Sequence, residues 1–284
     1  MGSGADHLPP LLPEGGAIEV ADCAVRWYAG GAGDPTLVFV HGGGAHAGWW
    51  EPILEALSAR QRVVALDLSG HGDSGHRPAG YPSRIWVTEV AALLREVVRG
   101  PAAVVGHSLG GRIGTSTAAL CPDLVTALVT LDSVIPPYGG EPIPRVGPRK
   151  LYDTKEIALK AFRLMPPQPP VEPDVMDRLA RRSIIQLPDG RYTWKFDPAI
   201  FGEMEDRFGV ARDIPQVRCP VTIVQGDLSS LTSPNLAEQY QELLGRSVET
   251  VKFAGSYHHV PLDAPADTVA LLGRLDGTRP HLGA

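Results

Sequence analysis

The feature of this sequence that most restricts its fold is a series of short, continuously apolar segments separated by helical segments. Lack of polar alternation within such segments is typical of strands that are buried on both faces. The apolar segments lie at residues 36–40, 62–68, 102–106, 127–132 and 220–226, and a more polar one follows at 248–253. Apolar residues recur at helical spacing in between, at 50–60, 85–99, 109–120, 234–244 and 266–275. This order predicts an α/β fold with a mostly parallel central sheet flanked by helices.

A proline-rich block interrupts the pattern between the fourth and fifth apolar segments. Prolines cluster at 136–148 and 166–173, where neither a helix interior nor a central strand is compatible with them. Helical fragments and a hairpin are indicated inside the block, so we interpret it as an inserted helical lid. The predicted domains are a core at 1–133 and 216–284 and a lid at 134–215.

The composition excludes several classes of partner. The 284 residues have a net charge of −6, which gives no general attraction to nucleic acid or to an anionic membrane. No apolar run approaches the roughly 20 residues that span a bilayer, and no secretory signal is visible. Three widely spaced cysteines indicate free thiols. We expect a cytoplasmic monomer or homodimer that acts on a small molecule, does not bind nucleic acid and has no membrane span.

The segment Gly106-His107-Ser108-Leu109-Gly110 is a G-x-S-x-G motif. It follows an apolar strand and opens a helix, which is the strand–turn–helix arrangement of a nucleophile elbow. Glycines on both sides permit the tight turn, since a Cβ atom there would collide with neighbouring backbone. The elbow would place the Ser108 hydroxyl at a helix N-terminus, where backbone N–H groups stabilise negative charge.

A second glycine-rich segment, His41-Gly42-Gly43-Gly44, follows the first apolar strand. Its small residues allow backbone N–H groups to approach a substrate oxygen. Together with the N–H of Leu109, this loop is a candidate oxyanion hole. The alternative is an ordinary glycine-rich turn. A phosphate cradle is disfavoured because the chain lacks G-x-x-x-x-G-K-[ST].

Two adjacent histidines, His258 and His259, follow the last strand. A histidine at the carboxyl end of a strand can reach the nucleophile, take its proton and later give it to the leaving group. We predict that His258 is this general base, and His259 is the competing assignment. The alternative for either is a histidine that serves only in packing.

These motifs resemble those of the α/β-hydrolase fold superfamily, in particular its lid-bearing, esterase-like serine hydrolases. The matching segments lie at 41–46, 63–75, 106–111, 187–198 and 258–263. The order of serine before histidine agrees with that group. The resemblance implies a Ser–acid–His triad, an oxyanion hole formed by the N–H groups of Gly43 and Leu109, and neither a metal nor an organic cofactor.

The identity of the triad acid is the open point of the resemblance. In such proteins the acid commonly follows the penultimate strand, where this chain has Ser229 and Ser230. Some members carry it after the preceding strand instead, where Asp132 stands here. Asp227 is the fallback, and a Ser–His dyad or a disabled triad is the alternative to both. We predict an Asp132 oxygen within roughly 2.6–3.2 Å of the imidazole Nδ1 of His258.

Aromatic and bulky residues near these motifs indicate an apolar substrate of moderate size. They lie beside the glycine-rich segment 41–44, called the oxyanion loop below, and in the predicted lid, as Trp49, Trp50, Phe162, Met165, Tyr192 and Trp194. For any one of them, plain packing of lid on core is the alternative.

The sequence therefore predicts a serine hydrolase that cleaves a carboxylic ester or lactone through an acyl-enzyme, with Ser108, His258 and Asp132 as its triad. Three alternatives stay open: a C–C bond hydrolase acting on a diketone, a cofactor-free oxygenase on the same fold, and a non-catalytic small-molecule receptor. An Asp-nucleophile dehalogenase or epoxide hydrolase is disfavoured because the elbow holds a serine.

Overall fold

A computed structural model describes residues 8–81, 84–135, 147–169, 171–201 and 209–275. The described residues form ten strands: β1 (Glu14–Glu19), β2 (Ala24–Gly30), β3 (Leu37–Val40), β4 (Val63–Leu66), β5 (Ala102–His107), β6 (Val125–Leu131), β7 (Ile184–Gln186), β8 (Tyr192–Trp194), β9 (Val221–Gly226) and β10 (Glu249–Phe253). Eight of them form one sheet in the order β1-β2-β4-β3-β5-β6-β9-β10. β2 pairs antiparallel with both β1 and β4. The remaining neighbours in this sheet, β4-β3-β5-β6-β9-β10, pair in parallel. The predicted mostly parallel sheet is therefore confirmed.

Helices connect the parallel strands and cover both faces of the sheet. In chain order they are α1 (Glu51–Ser58), α2 (Ile85–Leu93), α3 (Leu109–Leu120), α4 (Lys155–Ala161), α5 (Pro173–Ser183), α6 (Val210–Asp213), α7 (Leu236–Leu244), α8 (Val260–Asp263) and α9 (Pro265–Leu272). α2 is extended by a wide π-helical turn over Leu94–Val98. The helix predicted at 109–120 has these bounds in the structure, while the others differ by a few residues at their ends.

The core consists of two apolar layers, one on each face of the sheet. Successive side chains of a strand point to opposite faces, so Val38 and Val40 pack in one layer while Leu37 and Phe39 pack in the other. The first layer includes residues of α2, α3 and α7, and the second includes residues of α1 and α9. Burial of each such side chain contributes about 1.5–3 kcal/mol, so these layers hold the carboxyl ends of the strands in place.

Between β6 and β9 the chain leaves the sheet, and this segment is called the insertion below. Its described part contains α4, α5, the antiparallel hairpin β7–β8 and α6. The interruption thus falls where the prolines predicted it. Residues 136–146, 170 and 202–208 of the predicted lid lie outside the described residues, and the role of the insertion as a lid stays a prediction.

The helices of the described ranges are short, and none of them has the length and apolar character that crossing a membrane requires. The three cysteines are free thiols, of which Cys23 and Cys219 are buried and Cys121 is partly exposed. Burial raises the pKa of the Cys219 thiol to about 11, so this group is held in its unreactive protonated form.

Candidate active site

Ser108 lies on the turn between β5 and α3 with φ 52° and ψ −117°, a conformation that few non-glycine residues adopt. The turn is this tight because both flanking glycines contact backbone. A Cβ atom at Gly106 would lie 2.2 Å from the Gly110 carbonyl oxygen, and one at Gly110 would lie 2.0 Å from the Val40 carbonyl oxygen. The Ser108 N–H also donates to the Leu131 carbonyl of β6 at 3.0 Å. The G-x-S-x-G motif therefore forms the tight strand–turn–helix arrangement that its spacing predicted, which is the geometry of a nucleophile elbow.

The glycine-rich loop after β3 lies against this elbow. A Cβ atom at Gly42 would lie 3.3 Å from the Ser108 Cβ, and one at Gly43 would lie 3.6 Å from the Leu109 Cδ2. Leu109 is the first residue of α3, and the first amides of a helix have no acceptor within it. The structure thus brings together Ser108, Gly43 and Leu109, as a two-donor oxyanion hole requires.

Buried polar side chains support the oxyanion loop from behind. The His41 Nδ1–H donates to the Gly42 carbonyl at 2.7 Å, and burial lowers the pKa of His41 to about 4, so this ring is neutral at physiological pH. Asp67 accepts the Ala47 N–H at 2.6 Å. Burial raises the pKa of this carboxyl to about 6. Both residues thus hydrogen-bond to backbone groups of the segment after β3.

The imidazole of His258 and the carboxylate of Asp132 are in direct contact. His258 Nδ1 lies 2.6 Å from Asp132 Oδ2, which confirms the predicted distance. Asp132 directly follows β6, and His258 lies on the loop after β10, so the sheet itself brings the two loops together. Both side chains are buried. Asp227, the alternative acid, is exposed on the loop after β9.

Asp132 is held by more than its histidine. Among the described residues, its carboxylate receives hydrogen bonds from four donors. Oδ1 accepts from the Gly226 N–H at 3.2 Å and the Thr232 hydroxyl at 3.3 Å, and Oδ2 accepts from the Ser229 hydroxyl at 2.6 Å as well as from His258. The family resemblance places the triad acid near position 229, where this chain has serine. In the structure, the Ser229 hydroxyl donates a hydrogen bond to Asp132, the predicted acid.

The structure distinguishes the two adjacent histidines. His107, next to Ser108, donates its Nε2–H to the carbonyl of His258 at 2.8 Å, which ties the His258 loop to the elbow. His259 is buried instead against Trp49, with ring centroids 5.0 Å apart, and burial lowers its pKa to about 3. Because Asp132 contacts His258, the geometry favours His258 over His259 as the base.

The rings of His107, His258 and His259 lie close enough together to be considered as metal ligands. One nitrogen from each lies within 4.8 Å of the others. Tetrahedral zinc with bonds of about 2.0–2.1 Å needs nitrogens roughly 3.3 Å apart. His258 Nδ1 and His107 Nε2 already have hydrogen-bond partners. Each of these two rings therefore offers only its other nitrogen to an ion.

Several predicted pocket residues share one apolar region where the insertion meets the core. Trp49 and Phe162 both pack against a small cluster formed by Leu164, Leu179 and Leu262. The Trp194 ring lies 6.1 Å from the Phe162 ring, and Tyr192 is half-buried on the same strand as Trp194. Met165 is 60% exposed.

Trp50 does not belong to this region, and its prediction as a pocket residue is wrong. It is 1% exposed and packs in the core layer of α1 and α9, with its ring 5.1 Å from that of Phe39. Trp49 and Trp50 are consecutive on a short 3₁₀ turn, Ala47–Trp50, so their side chains point in different directions. Only Trp49 faces the insertion.

Phe201 was not identified from the sequence, yet its ring lies on the oxyanion loop. Its atoms are 3.3 Å from the Cβ position of Gly43 and 3.2 Å from that of Gly44. The ring also packs edge-to-face on Phe196, with centroids 5.9 Å apart. No local pattern marks this phenylalanine. The only signal was its place in the insertion, shortly after the segment 187–198.

The insertion is tied by side-chain hydrogen bonds to the loop that bears His258 and to the segment after β3. Gln168 donates to Asp263 at 2.6 Å and accepts the His259 N–H at 3.3 Å, beside His258. On the other side, His46 of the segment after β3 lies 3.0 Å from the Ser183 hydroxyl of α5. The insertion therefore contacts two of the loops that carry predicted site residues.

Comparison with known proteins agrees with this fold. The esterase Rv0045c of Mycobacterium tuberculosis is 29% identical over 280 residues, 94% of this chain and 91% of that protein. Its crystal structure superposes with a TM-score of 0.72, at 26% identity, covering 92% of this chain and 90% of that one. The lipase LipV of the same organism is 30% identical over 270 residues, 92% of this chain and all of that protein.

A second solved structure, E-2-(acetamidomethylene)succinate hydrolase, has the same fold, with a TM-score of 0.77 at 24% identity over 91% of this chain and 97% of that one. The sequence model of the alpha/beta hydrolase family matches residues 37–271. This match runs from β3 to the last turn of α9 and includes the elbow, Asp132 and His258. The protein therefore belongs to the alpha/beta hydrolase family.

Proposed function

We propose that this protein is a serine hydrolase that cleaves a carboxylic ester or a lactone through an acyl-enzyme. Ser108 Oγ attacks the carbonyl carbon while His258 Nε2 takes its proton, and the same proton then passes to the leaving alkoxide. Water, deprotonated by His258, releases the acid and restores Ser108. Asp132 fixes the imidazole tautomer and stabilises the imidazolium, and the N–H groups of Gly43 and Leu109 stabilise the oxyanion.

The single observation that carries this proposal is the 2.6 Å contact between His258 Nδ1 and Asp132 Oδ2. A carboxylate on Nδ1 leaves Nε2 as the proton acceptor, which is what a general base needs. His107 places this imidazole beside the elbow through its bond to the His258 carbonyl. The esterase and lipase names of two relatives that align over more than nine-tenths of the chain support ester chemistry.

We further propose that the insertion is a lid that bounds an apolar substrate pocket. Trp49 and Phe162 share one apolar cluster, and Phe162 faces Trp194. Tyr192 is half-buried on the same strand as Trp194. Such a wall contributes affinity through buried apolar area and sets no demand for charge, so acyl or alcohol groups of moderate size and apolar character fit it best.

A fluorophosphonate probe tests the nucleophile. The wild-type protein should be labelled once, at Ser108, and Ser108→Ala should be unlabelled. The variant's ester turnover should fall by a factor on the order of 10³ or more, with nearly the same melting temperature. Ser230→Ala, an exposed serine, is the matched control and should retain full labelling. Wild-type turnover by Ser108→Ala would exclude the acyl-enzyme.

A chain-length series of p-nitrophenyl esters and lactones then tests the substrate class. Medium-length or aromatic acyl groups should be hydrolysed with higher kcat/KM than acetyl esters. A diketone tested in parallel separates C–C bond hydrolysis, and an oxygen electrode separates a cofactor-free oxygenase. Thermal stabilisation by the esters without product would instead indicate a receptor.

A further inference from the structure

Ser229 lies on the loop after β9, and its hydroxyl shares a carboxylate oxygen with the histidine. Ser229 Oγ is 2.6 Å from Asp132 Oδ2, the oxygen that also contacts His258 Nδ1 at 2.6 Å. The Leu231 N–H lies 3.3 Å from Ser229 Oγ. This N–H takes up the acceptor side of the hydroxyl, so the hydroxyl proton is directed to Asp132.

The two oxygens of Asp132 are held unequally. Oδ1 receives its bonds from Gly226 and Thr232 at 3.2 and 3.3 Å, at the long end of the range for hydrogen bonds. The Ser229 contact is at the short end, as is typical of a hydroxyl that donates to an ionised carboxylate, and such bonds are roughly twice as strong as neutral ones. Ser229 is therefore the strongest restraint on Asp132 apart from the histidine.

We infer that Ser229 is a positioning residue of the proposed triad: its hydroxyl holds Asp132 Oδ2 in line with His258 and reduces the negative charge that this oxygen offers to the imidazole. This inference rests on the proposed function, because it assigns Ser229 a part in the same proton transfer. It also explains how the loop after β9 contributes to the site although the carboxylate that contacts His258 comes from the loop after β6.

Removal of the hydroxyl has two opposing consequences. Asp132 keeps only its longer Oδ1 bonds and can turn away from the histidine, which slows the proton transfer. At the same time Oδ2 carries more charge, because one of its two donors is gone, and it stabilises the imidazolium more strongly. If Ser229 served only to stabilise the fold, its removal would not change the pH–rate profile.

The experiment compares kcat, KM and the pH–rate profile of the wild-type enzyme with those of Ser229→Ala on one ester. We expect kcat to fall roughly tenfold with KM unchanged, and the midpoint of the acidic limb to move to higher pH. Ser229→Thr keeps a hydroxyl and should restore both values. Ser230→Ala is the matched control, since this exposed neighbour is not among the described donors to Asp132.

A double-mutant cycle shows whether Ser229 acts through Asp132. In the Asp132→Asn background, Ser229→Ala should cost nothing further, because the carboxylate that it positions is absent. An equal cost in both backgrounds, or a wild-type kcat and pH profile for Ser229→Ala, would overturn the inference. Neither result affects the proposed function, which fails separately if Ser108→Ala keeps its activity. Melting temperatures and the low-field Nδ1 proton signal of His258 identify any variant that is misfolded.

Discussion

The edge of the sheet that bears Ser108, Asp132 and His258 and the insertion that faces it are built in different ways. At the edge, backbone contacts leave no freedom: neither Gly106 nor Gly110 has space for a single Cβ atom. The insertion contacts the same loops through side-chain bonds, and most of the large apolar residues that are exposed in the described ranges belong to it, namely Leu151, Ile157, Met165 and Ile185.

This difference separates two tasks. Positions fixed by backbone and by a parallel sheet keep the groups of the proposed triad at constant distances, which catalysis requires. Positions held by individual side chains can change without loss of the fold, which is how one scaffold accommodates many substrates. We therefore expect substitutions at the sheet edge to abolish the chemistry and substitutions in the insertion to alter which substrate is preferred.

The largest effect on this comparison is expected from Asp132→Asn. The amide of asparagine favours the wrong imidazole tautomer and does not stabilise the imidazolium, so kcat should fall roughly 10²–10⁴-fold. Asp227→Asn is the matched control, because this exposed carboxylate follows the neighbouring strand, and it should change kcat little. Steady-state kinetics on one ester checks both. The opposite ranking would assign the acid to Asp227, and two inert variants would leave a Ser–His dyad.

The same contrast explains what the sequence could predict. Asp132 was predictable because β5 and β6 are successive parallel strands, so residues at their carboxyl ends must be neighbours. The elbow was predictable because its glycines have a local backbone cause. The positions of Phe201 and Trp50 were not predictable. They depend on the tertiary packing of an irregular segment and of a short turn, and neither segment has a periodic apolar pattern in the sequence that would indicate this packing.

A second prediction concerns the pH dependence of stability at the edge. Five buried histidines are kept neutral by burial, which lowers the pKa of His41 to about 4 and of His259 to about 3, and lowers it well below its usual range in the remaining three, His46, His71 and His107. The unfolded chain binds protons below about pH 6.5 and the folded chain does not. Stability is therefore present above pH 6.5 and is lost as the pH falls.

The shift at His41 alone corresponds to about 3 kcal/mol by pH 4. Asp67 opposes this trend in part, because burial raises its folded-state pKa to about 6 and the folded state then gains a proton first. Urea unfolding at pH 7.5, 6 and 5 should show a falling free energy of unfolding. His259→Phe should give a shallower slope, since one neutral histidine is removed. A pH-independent free energy, or an unchanged slope in the variant, would contradict this account.

A smaller effect is expected at Phe201, where the insertion meets the oxyanion loop. Phe201→Ala removes the ring that lies against Gly43 and Gly44 and opens space beside the carbonyl oxygen of a bound ester. The ratio of kcat/KM for a bulky ester to that for a small ester should rise roughly tenfold. Ile185→Ala, an exposed hairpin residue, is the control and should leave the ratio unchanged. An equal loss of activity on all esters would instead assign Phe201 to the groups that the chemistry itself requires, as at the strand ends that bear Ser108, Asp132 and His258.

The smallest effect is expected at Gln168, which joins the insertion to the His258 loop. Gln168→Ala removes a bond to Asp263 at 2.6 Å and one to the His259 N–H at 3.3 Å. Both are partly exposed contacts, so the loss should be about 1 kcal/mol in the free energy of unfolding. Even if the whole loss were felt in the transition state, kcat would fall by only about fivefold.

Gln168→Glu tests whether Gln168 acts through its hydrogen bonds or only by filling space. The new carboxylate can still accept the His259 N–H, but it repels Asp263. Burial already raises the pKa of Asp263, and a second carboxylate raises it further. The variant should therefore be destabilised more than Gln168→Ala at pH 8 and recover as the pH falls and the pair gains a proton. A hundredfold drop in kcat for Gln168→Ala would break the comparison, since it would make the insertion part of the machinery that positions His258.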